Sequence, residues 1–170
     1  PMSRLYLMRH ARAAWPAPGM RDFDRPLERG AENDAQAIGL AMRANGQRPD
    51  SVLCSSSRRT RETWERLADG LEMDPSAAEY RDELYSNDAA GYVEMIRECG
   101  RRDSVMVIGH NPMLEDLAFA LSKRGGESDS ATMEDGFAPC GLAVIDFETP
   151  LSEIAPGKGR LRLFMTPEDL

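Results

Sequence analysis

Only two histidines occur in this 170-residue chain, and both follow an apolar run. Arg9, His10 and Arg12 close the stretch Leu5-Tyr6-Leu7-Met8, while His110 follows Val105-Met106-Val107-Ile108 and Gly109. A further cationic cluster, Arg58, Arg59 and Arg61, comes directly after Ser55, Ser56 and Ser57. Imidazole can attack an electrophile or move a proton near neutral pH, and arginine offers paired donors that match an oxyanion. Together these residue types permit phosphoryl transfer, with phosphate or a related oxyanion as the natural guest. Neighbouring cations hold the pKa of His10 down and keep it neutral, so His10 is assigned the attack on phosphorus. A protonated His110 is then expected to donate to the phosphoryl oxygens as charge builds.

Other sources of the same chemistry fit less well. A zinc site needs three or four ligands, and Cys54, Cys99 and Cys140 lack a CxxC spacing. No metal, no cofactor and no disulfide framework is therefore expected. Cys54 precedes a serine- and arginine-rich turn, as a nucleophilic cysteine would. Cysteine-dependent phosphatases require arginine at the sixth position beyond the thiol, where this chain has Thr60.

The cluster forms only if the intervening elements bring its parts together. Continuous apolar runs at residues 5–8 and 105–108 read as strands buried on both faces of a parallel sheet, with a histidine just past each carboxyl end. Ser51–Ser55 reads as another strand. The helix behind it is capped by Ser55 or Ser56, holds Trp64, Leu67, Ala68 and Leu71 on one face, and has its arginines in the first turn. Cations there oppose the helix dipole, so a bound oxyanion is the expected compensation. Helices are also expected at Asn33–Asn45, Ala90–Cys99 and after Asn111 as N-cap, with strands at Ala77–Tyr80, Leu142–Phe147 and Arg160–Phe164. Residues 13–25 should form an irregular loop over the site, and 123–138 a mobile loop. This order implies a three-layer αβα sandwich with a mostly parallel central sheet, helices on both faces and right-handed crossovers. Ligands bind such sheets at the carboxyl ends of the strands.

At 41% apolar and 29% charged residues the chain has the composition of a soluble globular protein, and its length fits a single domain over 1–170. A net charge of −8 argues against nucleic-acid binding but not against an anionic substrate, since a local cluster of arginines outweighs the global sum. No apolar run suits a secretion signal or a membrane span, and the cysteine usage fits a reducing compartment, so a cytoplasmic protein is expected.

Four segments carry a family resemblance. LMRHARAAW resembles the strand-end Arg-His-Gly motif of the histidine phosphatase superfamily, also called phosphoglycerate mutase-like, in the Arg-His-Ala variant of its small, SixA-type phosphohistidine phosphatase branch. DFDRPLERGAENDA, SSSRRTRETWERLA and VIGHNPMLEDLA resemble that branch's second stretch, arginine helix and Gly-His-Asn-Pro segment. The resemblance implies that His10 is the phosphorylated nucleophile and that Arg9, Arg59 and His110 complete the phosphate pocket. Arg59 is chosen over Arg58 because the family's arginine lies four residues before a threonine, here Thr63. Arg12, Arg25 and Asn111 match family-like positions with less defined, substrate-binding roles. Ala11 replaces the commoner glycine, and Ser56 stands where proline is frequent.

Family members that cleave phosphate esters share a Leu-x-Glu segment whose glutamate protonates the departing oxygen. The corresponding stretch here is Leu84-Tyr85-Ser86, with Asp82 and Glu83 read as solvated. The resemblance therefore implies hydrolysis of a P–N bond on a phosphorylated protein, such as a histidine-containing phosphotransfer domain, with no nucleic-acid or membrane partner. A small-molecule phosphatase or mutase on the same fold, and a non-catalytic phosphoprotein-binding module, are the alternatives.

Overall fold

The computed structural model describes residues 2–123, 133 and 136–170. They build one six-stranded sheet, from β1 (Ser3–Arg9), β2 (Ser51–Ser55), β3 (Ala78–Arg81), β4 (Ser104–Gly109), β5 (Leu142–Phe147) and β6 (Arg160–Met165), in the order β3-β2-β4-β1-β5-β6. Pairing is parallel from β3 through β1, and the two closing strands are antiparallel. Among the described residues five helices flank the sheet: α1 (Ala31–Ala44), α2 (Arg58–Leu71), a single turn α3 (Glu83–Ser86), α4 (Ala89–Arg97) and α5 (Met113–Leu121). The mostly parallel sandwich expected from the sequence is the observed architecture.

Strand alternation divides the core into two layers. Tyr6 and Met8 of β1 join Met106 and Ile108 of β4 in packing beneath α1 and α2, against Ile38, Met42, Trp64 and Leu67. The intervening Leu5, Leu7, Val105 and Val107 face α4 and α5, against Tyr92, Ile96, Leu114 and Leu117. Since both faces of β1 and β4 are covered, their sequences are continuously apolar rather than alternating. Burying each large aliphatic side chain contributes about 1.5 to 3 kcal/mol, so the central pair is the best anchored part of the sheet.

Helices α1 and α2 meet at Gly39 and Gly70. A Cβ on Gly70 would collide with the Gln36 carbonyl oxygen and one on Gly39 with that of Leu67, so the two backbones approach more closely than any side chain permits. Gly46, at φ 69°, turns the chain where α1 ends.

Three local expectations are corrected. The N-cap of α2 is Ser57 rather than Ser55 or Ser56, and its side chain makes no capping bond: Ser57 Oγ meets Thr60 Oγ1, while Ser55 meets His110 and Ser56 donates to Asp82. α5 begins at Met113, with Pro112 just outside it, yet the Asn111 side chain still accepts the Glu115 N–H at 3.3 Å. The stretch 13–25 is more ordered than an irregular loop, with an antiparallel bridge between Ala13 and Leu27 and a 3-10 turn at Asp22–Asp24. Most of the loop expected at 123–138 lies outside the described residues. Among the described residues no helix is long and apolar enough to cross a membrane.

Candidate active site

The register of the central strands sets the first part of the geometry. Arg9 of β1 lies opposite Gly109 of β4, so the residues that follow, His10 and His110, emerge side by side with ring centroids 5.4 Å apart. Gly109 is required where it stands, since a Cβ there would come within 2.7 Å of the Tyr92 hydroxyl. That hydroxyl donates to the Leu84 carbonyl and receives the His110 N–H at 3.4 Å, tying α3 to the end of β4.

His10 is buried, and its Nδ1 lies 2.7 Å from the Ala11 carbonyl oxygen. A carbonyl can only accept, so Nδ1 carries the proton and Nε2 keeps its lone pair. Burial, followed by the nearby charges of Arg59, Arg9 and Arg25, lowers the His10 pKa to about 4 despite the opposing Ala11 bond. Arg59 Nε donates to the His10 Nε2 lone pair at 3.3 Å. The Ala11 N–H donates to Thr63 Oγ1 at 3.0 Å and the methyl sits in the core, which is how alanine is accommodated where glycine is commoner.

The surroundings of His110 disfavour the protonated ring expected from the sequence. Burial and then the charge of His10 and Arg59 bring its pKa to about 3. Its Nε2 is 2.8 Å from Ser55 Oγ and 3.5 Å from Ser57 Oγ, so the serine turn orients the ring. A neutral imidazole still has one N–H to donate.

Of the arginines at the start of α2, only Arg59 enters the site. Successive helical residues point about 100° apart, and its neighbours find partners outside: Arg58 pairs with Glu62 at 3.0 Å, while Arg61 donates to the Ser56 carbonyl and lies over the Tyr80 ring. Arg9 is held by the Phe137 carbonyl at 2.8 Å, and its Nε is buried without a partner. The same carbonyl accepts Asn111 Nδ2 at 3.0 Å, while the Phe137 N–H donates to Glu115, so Asn111 braces the group that holds Arg9.

These groups line a cavity of about 690 Å³ that also includes Arg12, Arg25, Trp15, Asp22, Glu28, Tyr85 and Met113. Arg12 stands at its rim beside Glu28 and Asp34. Arg25 donates to the Ala14 carbonyl and to Asp22. Asp22 and Tyr85 were not singled out as site residues from the sequence. Asp22 accepts from Arg59 at 3.0 Å and Tyr85 at 2.8 Å; Tyr85 also stacks edge-on against His110. Burial pushes the Asp22 carboxyl up, but the bonds from Tyr85, Arg25 and Arg59 outweigh it and bring the pKa to about 2.

Asp82 and Glu83 do not line this cavity. Asp82 accepts from Ser56, and Glu83 is exposed and paired with Arg81 at 2.9 Å. Cys54 is fully buried and its thiol pKa is pushed strongly upward by that burial, so it supplies no thiolate. Among the described residues no group of three or more His, Cys, Asp and Glu is disposed to hold a metal ion.

A neutral imidazole facing two arginines and a second imidazole is suited to attack on a phosphoryl group. The family model of the histidine phosphatase superfamily (branch 1) matches residues 5–104. The chain belongs to this superfamily. Within it the histidine phosphatase likenesses point to the SixA-type branch. A structure from Agrobacterium tumefaciens bearing the name phosphohistidine phosphatase SixA is 34% identical, with a TM-score of 0.80, covering 97% of this chain and 99% of that one. A second of that name, from Nakamurella, is 28% identical with a TM-score of 0.82, covering 98% and 97%. An uncharacterized Mycobacterium tuberculosis protein, from strain H37Rv, is 32% identical over 164 residues, spanning 94% of this chain and 99% of the relative. The family match and the SixA-named neighbours support a phosphatase.

Proposed function

We propose that this phosphatase hydrolyses the P–N bond of phosphohistidine on a protein, through a covalent phosphohistidine at His10 and without a metal. The observation that carries the reading is the His10 tautomer: Nδ1–H is committed to the Ala11 carbonyl, leaving Nε2 as an unprotonated nucleophile beside Arg59. In the first step the Nε2 lone pair forms the new N–P bond, and the substrate P–N bond breaks with its electrons returning to the substrate imidazole. Arg9, Arg59 and His110 stabilise the phosphoryl oxygens. Water then cleaves the phosphoenzyme and releases inorganic phosphate. Because the nucleophile is a side chain, no metal-generated hydroxide is needed.

Substrate choice follows from the acids. An alkoxide departs poorly without a proton, and general-acid help is worth about 10² to 10⁴ in rate. The Asp22 carboxyl, with its pKa at about 2, holds no proton near neutral pH, and Glu83 is drawn below its usual range by Arg81. An imidazole leaving group does not require such an acid. The SixA name borne by the two structural neighbours supports the same reading, and a cytoplasmic histidine-phosphorylated phosphotransfer protein is the partner class proposed.

The test is rapid-quench labelling with a histidine-phosphorylated protein carrying radioactive phosphate. An acid-labile, alkali-stable label on His10, lost in His10→Ala and unaffected by chelator, is the expected result. Label on Cys54, or equal efficiency on phosphoserine, would overturn it.

A further inference from the structure

Asp22 is an unexpected occupant of a pocket built for an anion. Its carboxylate is half exposed into the cavity, although its charge opposes the binding of a phosphoryl group. Four bonds hold it there: Oδ2 accepts from Arg59 Nη2 at 3.0 Å and from the Tyr85 hydroxyl at 2.8 Å, Oδ1 accepts from Arg25 Nη1 at 3.0 Å, and the Asp22 backbone carbonyl takes Arg59 Nη1 at 2.8 Å. Two carboxylate oxygens offer about four lone-pair sites, and the side-chain bonds use three. The remaining site lies on Oδ1, which accepts only from Arg25.

The position relative to His10 matters more than the charge alone. Arg59 spans the two residues, with Nε on His10 Nε2 and its Nη edge on Asp22. His10 is at the floor of the cavity, 9% exposed, whereas the Asp22 side chain is 50% exposed. In-line attack by the buried His10 sends the leaving group outward, past the phosphoryl group and into the cavity that the more exposed Asp22 also lines.

We propose that Asp22 recognises the leaving ring, accepting a hydrogen bond from the second ring N–H of a protonated phosphoimidazole and so selecting a substrate whose ring departs as neutral imidazole over one whose leaving group departs as an anion. This rests on the phosphohistidine reading above and adds its selectivity element. The phosphoimidazole enters as the ring-protonated cation, the P–N electron pair returns to the departing nitrogen, and neutral imidazole leaves with its other N–H still bonded to the carboxylate. Asp22 stays ionised throughout, and no proton changes hands in the step. A phenolate or alkoxide gains nothing from such a neighbour and is repelled by it.

The experiment compares wild type and Asp22→Asn on phosphoimidazole and on p-nitrophenyl phosphate, whose phenolate leaves without a proton. The substituted amide keeps an oxygen for Arg59 and removes the charge. The expected result is a loss of about ten- to a hundredfold in kcat/KM on phosphoimidazole, the scale of one charge-assisted hydrogen bond, together with a severalfold gain on p-nitrophenyl phosphate. Equal losses on both donors would mean that Asp22 acts only by positioning Arg59, and would overturn the proposal while sparing the phosphohistidine reading. A wild-type enzyme that prefers phosphoserine or p-nitrophenyl phosphate overturns that reading and the proposal with it.

A second measurement needs no variant. The wild-type rate on phosphoimidazole should fall as pH rises through the pKa of the substrate ring, while the p-nitrophenyl phosphate rate should not follow that titration. The groups facing Asp22 are Arg59 from α2, Arg25 from its own segment, Tyr85 from α3 and His110 from the end of β4. Burial raises Tyr85 above its usual value and brings His110 to about 3, so neither titrates in that window. A flat profile for both donors would contradict the proposal.

Discussion

The two halves of the pocket are built differently. Its floor consists of residues at the ends of buried parallel strands and the first turn of α2, where His10, His110 and Arg59 inherit their positions from the packed centre of the sheet. Its overhang consists of Asp22, Arg25 and Tyr85, carried by a 3-10 turn, an extended segment and a single-turn helix. The floor is held by backbone ladders and apolar burial, and the overhang by side-chain bonds among its own members and to Arg59 of the floor. Chemistry needs placement to within a fraction of an ångström, while discrimination between leaving groups needs a surface that can vary. The division assigns each task to the half that can perform it.

Substitutions in the floor should break the reaction outright. His10→Ala is expected to lower turnover by roughly 10⁴ or more, the scale of losing a nucleophile, with folding intact by circular dichroism. His110→Ala and Arg59→Ala should each cost roughly 10² to 10³ in kcat, as for one lost charge-stabilising donor. An effect as small as that of an overhang residue would dissolve the distinction. In the overhang, Tyr85→Phe removes one of the three bonds to the Asp22 carboxylate and should change kcat/KM only about two- to tenfold, differently for different leaving groups. Arg58→Ala is the control on the same helical turn as Arg59, and should leave activity within about twofold and stability within about 0.5 kcal/mol.

Acid should act on the floor as well. Both histidine pKa values are depressed by folding, so the unfolded chain binds more protons between the folded values and about 6.5. Their contribution to stability is complete above pH 6.5 and is lost as pH falls toward about 4 and then about 3. The same shift keeps His10 unprotonated in mildly acidic solution, so the acid limb of kcat/KM on an aryl phosphate should lie near pH 4 rather than 6.5. Urea melts and rate profiles from acid to neutral pH measure the two effects separately.

The floor was also the legible half. A strand buried on both faces declares itself as an unbroken apolar run, so the ends of β1 and β4, and hence the meeting of His10 with His110, could be read from residue order. Arg59 needed the resemblance, because three arginines in one turn look alike until helix geometry fans them apart. Arg12 and Asn111 came out as rim and brace rather than as central groups. The overhang had no comparable signal. Nothing in the local pattern around Asp22 or Tyr85 says that a turn after β1 and a turn after β3 fold over the same cavity, since that follows from long-range closure and not from periodicity. Misassigned caps had a related cause: the serines before α2 were judged as local capping groups, whereas His110 and Asp82, distant in sequence, had claimed two of them.

The glycine contact between α1 and α2 reaches further than packing. Arg59 sits eleven residues from Gly70 along α2, about 16 Å at helical rise, so the point where the helices touch acts as a fulcrum with the guanidinium at the end of the arm. A methyl group at Gly70 would wedge the backbones apart at that point, and even a few degrees of tilt would carry Arg59 a large fraction of an ångström away from His10. The histidine phosphatase pocket is thereby vulnerable to a mutation at the opposite end of the helix that alters no charge, touches no substrate and substitutes no residue of the site.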